Sequence, residues 1–255
     1  CQSIHTGRKV EASVCFDENR DQMGAQVLSG VTYAPGDGLL LARDGEVYGN
    51  RWINGRPQLD LSVPVSDSAV RRWLDHCEHL IPDVDERNHC LNVMAYKLQN
   101  PTKKINHAIL HGSDEGSGKD TMWEPFIWAL SGPNFRNRSI VDTKGLQSAW
   151  GYDLEAELMI INELQENEAA QRRALANQLK PIIAAPPLTL TINRKGLHPY
   201  QMINRVLVLA FTNYTTPISL PSQDRRWFCV WSTVGRMSTP DADAMHGWYR
   251  SGGYE

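Results

Sequence analysis

Residues 107–121 read HAILHGSDEGSGKDT, and they limit the possible folds more than any other stretch of the chain. An apolar run collapses into a Gly/Ser-rich turn that ends in lysine, and TMWEPFIWALSG follows with helical character. Such a segment delivers a buried strand to a tight loop that opens a helix. The backbone N–H groups of Gly116, Ser117, Gly118 and Lys119 then converge at the helix N-terminus, where the macrodipole favours an anion. Lys119 extends toward the β- and γ-phosphates of a nucleotide. The pattern G-x-x-x-x-G-K-[ST] is met in part. Ser113 occupies the place of the first glycine, with Gly112 one residue early. Asp120 replaces the usual hydroxyl residue, and Thr121 stands one place later. A Gly/Ser surface turn that merely precedes a lysine is the alternative; the strand before and the helix after favour a phosphate loop.

From residue 104 onward, apolar strands are expected at 106–110, 138–142, 157–162, 205–211 and 226–231, with helices at 119–131 and 166–180. This alternation predicts an α/β fold: a mostly parallel sheet, helices on its faces, and ligands at the carboxyl ends of the strands. Residues 66–102 read as a helical hairpin. Ser66 or Asp67 caps a helix whose Val70, Trp73, Leu74 and Cys77 share one face, and Pro82 breaks it. A second helix from Asp85 aligns Leu91, Met94, Ala95 and Leu98 and ends before Asn100-Pro101. Residues 1–65 form a small β-rich segment or linker with a hairpin signal at Asp44-Gly45 and no catalytic constellation. Three parts result: residues 1–65, 66–102 and 103–255.

A chain of 255 residues suffices for one sizeable core and a smaller module. A net charge of −3 excludes a broadly basic surface, so any nucleic-acid contact is confined to a local loop or channel. Five scattered cysteines (Cys1, Cys15, Cys77, Cys90 and Cys229) lack C-x-x-C spacing and suit free thiols in a reducing, cytoplasmic compartment. His76, Cys77, His79, His89 and Cys90 match no zinc spacing and read as helix-face or core residues. No apolar run approaches the ~20 residues of a membrane span, and no signal peptide is visible. A first residue other than Met, and an end just after a helix-like segment, suggest a piece of a longer polypeptide.

Three further segments carry chemistry. In ELMIINELQE the apolar run ends at Asn162-Glu163, where an acidic group beside a phosphate loop holds Mg²⁺, directly or through water, and polarises the attacking water. RVLVLAFTN reads as a central parallel strand ending at Asn213, placed to hydrogen-bond the γ-phosphate or that water. In SQDRRWFCVW, Arg225 or Arg226 is either an arginine finger acting across a subunit interface or part of a solvated edge pair. LTLTINRKGLHPYQMINR reads as a hairpin with a basic tip at Arg194-Lys195-Gly196, followed by His198 and Tyr200. Such a tip either grips a single strand through its phosphates or is ordinary surface.

The order of these elements resembles the superfamily 3 helicases, and more specifically the helicase portion of phage and plasmid primase-helicases, which are related to the poxvirus type. WLDHCEHL, AYKLQNPTKKINHAILHGSDEGSGKDT, INRKG and DRRWF carry the resemblance, which spans roughly residues 66–235 and the tail GWYRSGGYE. It implies an AAA+-like P-loop ATPase core that assembles as a homo-hexameric ring around single-stranded DNA and uses ATP and Mg²⁺ to translocate 3′ to 5′. By the same resemblance Gly116, Ser117, Gly118, Lys119, Asp120 and Thr121 bind ATP, and Asn162-Glu163 take the second Walker position. Asn213 is the sensor, the Lys195 hairpin enters the channel, and Arg225 or Arg226 reaches the neighbour's ATP. Asp120 departs from the pattern: a carboxylate holds Mg²⁺ through water where a hydroxyl usually binds it, which puts efficient hydrolysis in question. A primase-polymerase domain commonly precedes such helicases; none of its motifs lie in residues 1–65, so no primase activity is expected here. Two rivals are a P-loop nucleoside monophosphate kinase and a nucleotide-dependent assembly module with weak hydrolysis.

Overall fold

The computed structural model describes residues 6–19, 24, 27–58, 66–147, 154–193 and 198–254. After helix α1 (Ala12–Asn19), strands β1 (Gly30–Thr32), β2 (Leu40–Arg43) and β3 (Glu46–Asn50) form a small sheet in the order β1-β3-β2. Asp44 and Gly45 join β2 to β3 at φ of 52° and 81°, the pair of positive values that a two-residue type I′ hairpin needs. Helices α2 (Asp67–Leu80) and α3 (Val84–Gln99) follow as the hairpin. Asp83 caps α3 by accepting the backbone N–H groups of Asp85 and Glu86.

The α/β body then runs β4 (Ala108–Ser113), α4 (Lys119–Ser131), β5 (Arg138–Val141), α5 (Thr143–Gln147) and β6 (Leu158–Ile161). It continues through α6 (Ala169–Ile183), the hairpin β7 (Thr189–Ile192) and β8 (Tyr200–Ile203), β9 (Leu207–Thr212), β10 (Trp227–Ser232) and α7 (Thr239–Trp248). Strands β10-β4-β9-β6-β5, in that order, make one all-parallel sheet. Side chains alternate between its faces as the pleat requires. Leu158, Ile160, Leu209 and Phe211 meet Cys77, Val93, Met94 and Trp123 from α2, α3 and α4. Met159, Ile161, Val208 and Ala210 meet Leu175, Leu179 and Ile183 of α6, along with Tyr33 and Met202. Cys77 and Cys90 are fully buried, and burial pushes both thiols up to about 12. No group of three or more His, Cys, Asp or Glu side chains gathers around one point among the described residues. No helix among them is long and apolar enough to cross a membrane.

Strand β4 continues to Ser113, beyond the expected 110, because His111 and Gly112 are both accommodated inside the sheet. Trp123 Nε1 donates to His111 Nδ1 (3.0 Å), and the other ring nitrogen donates to Ser232 Oγ (2.8 Å), which in turn donates to the Leu80 carbonyl (2.6 Å). Burial first, then the nearby Lys119 charge, pushes His111 down to about 3, so the ring is neutral. At Gly112 a Cβ would lie 2.2 Å from the Trp231 ring, so no larger residue fits.

Helix α4 tolerates Pro125 because Thr121 O, the carbonyl left without its helical N–H, finds another donor. Tyr249 Oη donates to Thr121 O (2.7 Å) and Trp73 Nε1 to Met122 O (2.8 Å). The small N-terminal sheet is also fastened to the body. Thr32 Oγ1 donates to Gln201 O (2.9 Å) and Ile203 N to Tyr33 O (3.1 Å). The chain after β3 runs against the start of β6, where fully buried Glu157 accepts from Trp52 Nε1 (2.8 Å) and from both terminal nitrogens of Arg56 (3.1 and 2.9 Å).

Candidate functional site

The loop between β4 and α4 turns on two glycines in the left-handed region, Gly116 (φ 72°) and Gly118 (φ 90°). Only glycine enters that region without strain. Ser113, where the pattern would have its first glycine, ends β4 fully buried. Its hydroxyl lies 2.7 Å from that of Ser117 and donates to Asp114 O (2.9 Å), bracing the loop from below. From above, His76 of α2 lies 2.9 Å from Gly118 O. A carbonyl accepts only, so Nε2 carries the proton. Burial lowers the His76 pKa and keeps the ring neutral.

The sheet order brings the other residues to this loop. β9 lies between β4 and β6, with Leu209 paired to both Ile109 and Ile160. The residues just past the three carboxyl ends are therefore neighbours. Lys119, Asp120, Asn162, Glu163, Phe211, Thr212 and Asn213 line one cavity of about 170 Å³. Lys119 is 7% exposed, and its ammonium donates to Asn213 Oδ1 at 2.7 Å.

Glu163 adopts φ 51°, a left-handed backbone that costs a non-glycine residue about 1–3 kcal/mol and persists only when its surroundings enforce it. Leu164 N donates to Phe211 O (2.7 Å), Thr212 Oγ1 to Leu164 O (2.8 Å) and Thr143 Oγ1 to Glu163 O (3.3 Å). These bonds hold the turn while the Glu163 carboxylate stays exposed. Asp120 also reaches solvent, yet the surrounding protein pushes its pKa up, with Lys119 pulling the other way. Two carboxylates and two amide oxygens around one small cavity are a hard-oxygen donor set that suits Mg²⁺. Thr121 lies one residue farther along α4, is buried, and does not line the cavity.

Arg225 and Arg226 stand elsewhere. Arg226 O accepts from Ala108 N (2.7 Å), so the pair sits at the amino edge of the sheet. The six residues of β4, roughly 20 Å of strand, separate it from the cavity. Arg226 is tied to Asp224 through its backbone N–H (2.7 Å) and its guanidinium (3.8 Å). Arg225 is exposed and makes no ion pair with another described residue. With Asn106, His107 and Lys180 the two arginines line a cavity of about 760 Å³. His198 is exposed and lines a separate groove of about 500 Å³ with Arg43, Tyr48 and Tyr200, between the small sheet and the β7–β8 hairpin. Arg194 and Lys195 fall outside the described residues.

Sequence reasoning missed two contributors to the loop, His76 and the segment 235–237. Met237 N donates to Gly116 O at 2.8 Å. Neither has a motif; both meet the loop only through long-range packing.

A model for a family of unknown function (DUF5906) matches residues 110–226. No curated protein matches the chain. Solved structures of the NrS-1 C-terminal region share the fold. An apo structure of residues 305–718 superposes with a TM-score of 0.69 at 17% identity, covering 88% of this chain and 53% of that one. An A-form apo structure of the region gives 0.67 at 16% identity, covering 96% and 59%. The chain thus spans little more than half the length of the NrS-1 region it matches.

Proposed function

We propose that this chain is the ATP-driven motor of a DNA helicase or translocase from a phage or mobile-element replication protein. In this reading it hydrolyses ATP at the subunit interfaces of a homo-hexameric ring around single-stranded DNA. The observation that carries the reading is the single cavity in which Lys119, Asp120, Asn162, Glu163 and Asn213 converge beside a glycine loop. The loop N–H groups and Lys119 bind the phosphates, and Asn213 keeps the Lys119 ammonium aimed at the γ position. The Glu163 carboxylate, exposed on its enforced turn, takes the proton of the attacking water. Asp120 and Glu163 would hold Mg²⁺, directly or through water, and the ion would supply charge neutralisation on the transferred phosphoryl group.

Arg225 is too far from its own chain's cavity to act there, which suits a finger offered to a neighbouring subunit's nucleotide. It is the better candidate of the pair because Asp224 already holds Arg226. The same arrangement disfavours a monophosphate kinase, whose arginines must close over the donor within one chain. Arg194, Lys195 and His198 are assigned to the DNA strand, and a primase-polymerase domain to the full-length protein upstream. One observation favours the assembly-module reading: Asp120 occupies the place of a Mg²⁺-binding hydroxyl.

Equilibrium binding and turnover of ATP test the site. Lys119→Ala abolishes tight triphosphate binding, whereas Glu163→Gln keeps binding and stops turnover. Continued turnover by Glu163→Gln contradicts the assignment. Binding without any turnover in the unmodified chain selects the assembly module.

A further inference from the structure

We infer that Arg236 is a phosphate ligand acting within its own chain, and that residues 233–237 wall the polyphosphate site that the phosphate loop begins. The inference rests on the nucleotide-binding reading above. The sequence offers no sign of it, since STVGRMSTP resembles an ordinary linker.

β10 is parallel to β4, and Ser232 pairs with Ser113, so the chain leaves β10 beside the phosphate loop. It then crosses the loop in contact with it. Met237 N donates to Gly116 O (2.8 Å), and a Cβ built on Gly118 would lie 2.5 Å from Met237 Cε. A Cβ built on Gly116 would lie 3.0 Å from Arg236 Cγ and 3.3 Å from its Nε. The guanidinium stem therefore lies against a left-handed glycine of the phosphate loop. The crossing is secured beyond Arg236 as well. Ser238 caps α7 by accepting the Asp241 N–H (3.2 Å), and Tyr249 after α7 ties back to Thr121 O.

Charge gives the crossing its chemistry. Arg236 is exposed and has no ion-pair partner among the described residues. It stands beside a loop of N–H donors that already includes the Lys119 cation. Arg236 and Lys119 thus flank one loop of N–H donors, an arrangement that the several oxygens of a polyphosphate can satisfy together. A guanidinium presents a rigid fork of donors that matches two phosphate oxygens at once. The ligand class is a nucleoside polyphosphate, gripped by Lys119 from the helix side and by Arg236 from the strand side.

Calorimetric titration of the whole chain with ATP and with inorganic tripolyphosphate tests the inference, using wild type, Lys119→Ala, Arg236→Ala and Arg236→Lys. Arg236→Ala is expected to weaken both ligands by the same factor, about tenfold for a lost charge-assisted contact, with an unchanged thermal midpoint. Arg236→Lys recovers part of that loss, because it keeps the charge and loses the fork. Wild-type affinity for both ligands in Arg236→Ala, while Lys119→Ala abolishes binding, overturns the role of Arg236 and leaves the phosphate loop intact. A loss for ATP alone, with tripolyphosphate unaffected, also overturns it and moves Arg236 to the nucleoside. Failure of wild type to bind either ligand overturns the nucleotide-binding reading itself.

Discussion

Replacing Glu157 by glutamine removes a fully buried negative charge that balances buried Lys97 and partly covered Arg56. Arg56 donates to both carboxylate oxygens, and Lys97 Nζ lies 3.9 Å from one of them, with Lys97 only 1% exposed and Glu157 fully buried. Glutamine fits the same space but turns a donor group toward donors. Breaking a buried ion pair from one side costs about 3–5 kcal/mol. That is a large share of the roughly 5–15 kcal/mol that holds a typical domain folded. The pH dependence identifies the cause. Lys97 is pushed down to about 8, chiefly by burial, with Glu157 opposing the shift. Without Glu157 its pKa falls further, and the ammonium sheds its proton as the pH rises. The penalty of Glu157→Gln is therefore larger at pH 6.5 than at pH 9, where Lys97 is largely neutral in both proteins. Urea unfolding at the two pH values measures it, and pairing the change with Arg56→Met recovers part of the loss. A penalty below about 1 kcal/mol, the range of an exposed pair, refutes the reasoning, as does an equal penalty at both pH values.

Two further outcomes follow from the same structure. Lys104 donates to Ile182 O (2.7 Å) and Val206 O, and burial, with Lys97 adding repulsion, pushes it down to about 7. An unfolded lysine titrates near 10.4, so the unfolded chain binds more protons between these values, and stability rises with pH from about 7 to about 10. Lys104→Met loses that rise, and thermal midpoints at pH 7 and pH 9 report it; an unaltered pH slope contradicts the assignment. Arg225→Ala abolishes turnover alone but recovers it when mixed with Lys119→Ala subunits, since each mixed interface can pair an intact loop with an intact arginine. No recovery at concentrations that form rings argues against a finger in trans.

The parallel sheet was legible chiefly because its central strands β6 and β9 are near-continuous apolar runs, the signature of strands buried on both faces, and helical stretches separate the strands. Strand limits were less legible where a polar residue enters the sheet: His111 is there because Trp123 and Ser232 satisfy it. Helix α6 starts at Ala169 instead of 166. The loop lysine could be singled out by its Gly/Ser-rich turn, and the Asn162-Glu163 turn and Asn213 because each directly follows an apolar strand. Their meeting in one cavity required the strand order, which periodicity does not encode. The Glu157 network joins residues about a hundred positions apart, and Arg236 meets Gly116 across a similar span. No local pattern announces such contacts. Asp44-Gly45, by contrast, formed the expected hairpin because two adjacent residues alone determine that turn.

The most direct test of the motor reading is ATP turnover as a function of protein concentration, with and without single-stranded DNA. A cavity completed by a neighbour's arginine predicts a steep rise of specific activity with concentration and stimulation by DNA. Turnover that is independent of both concentration and DNA, and that appears only on adding a nucleoside monophosphate, contradicts the account and identifies a kinase.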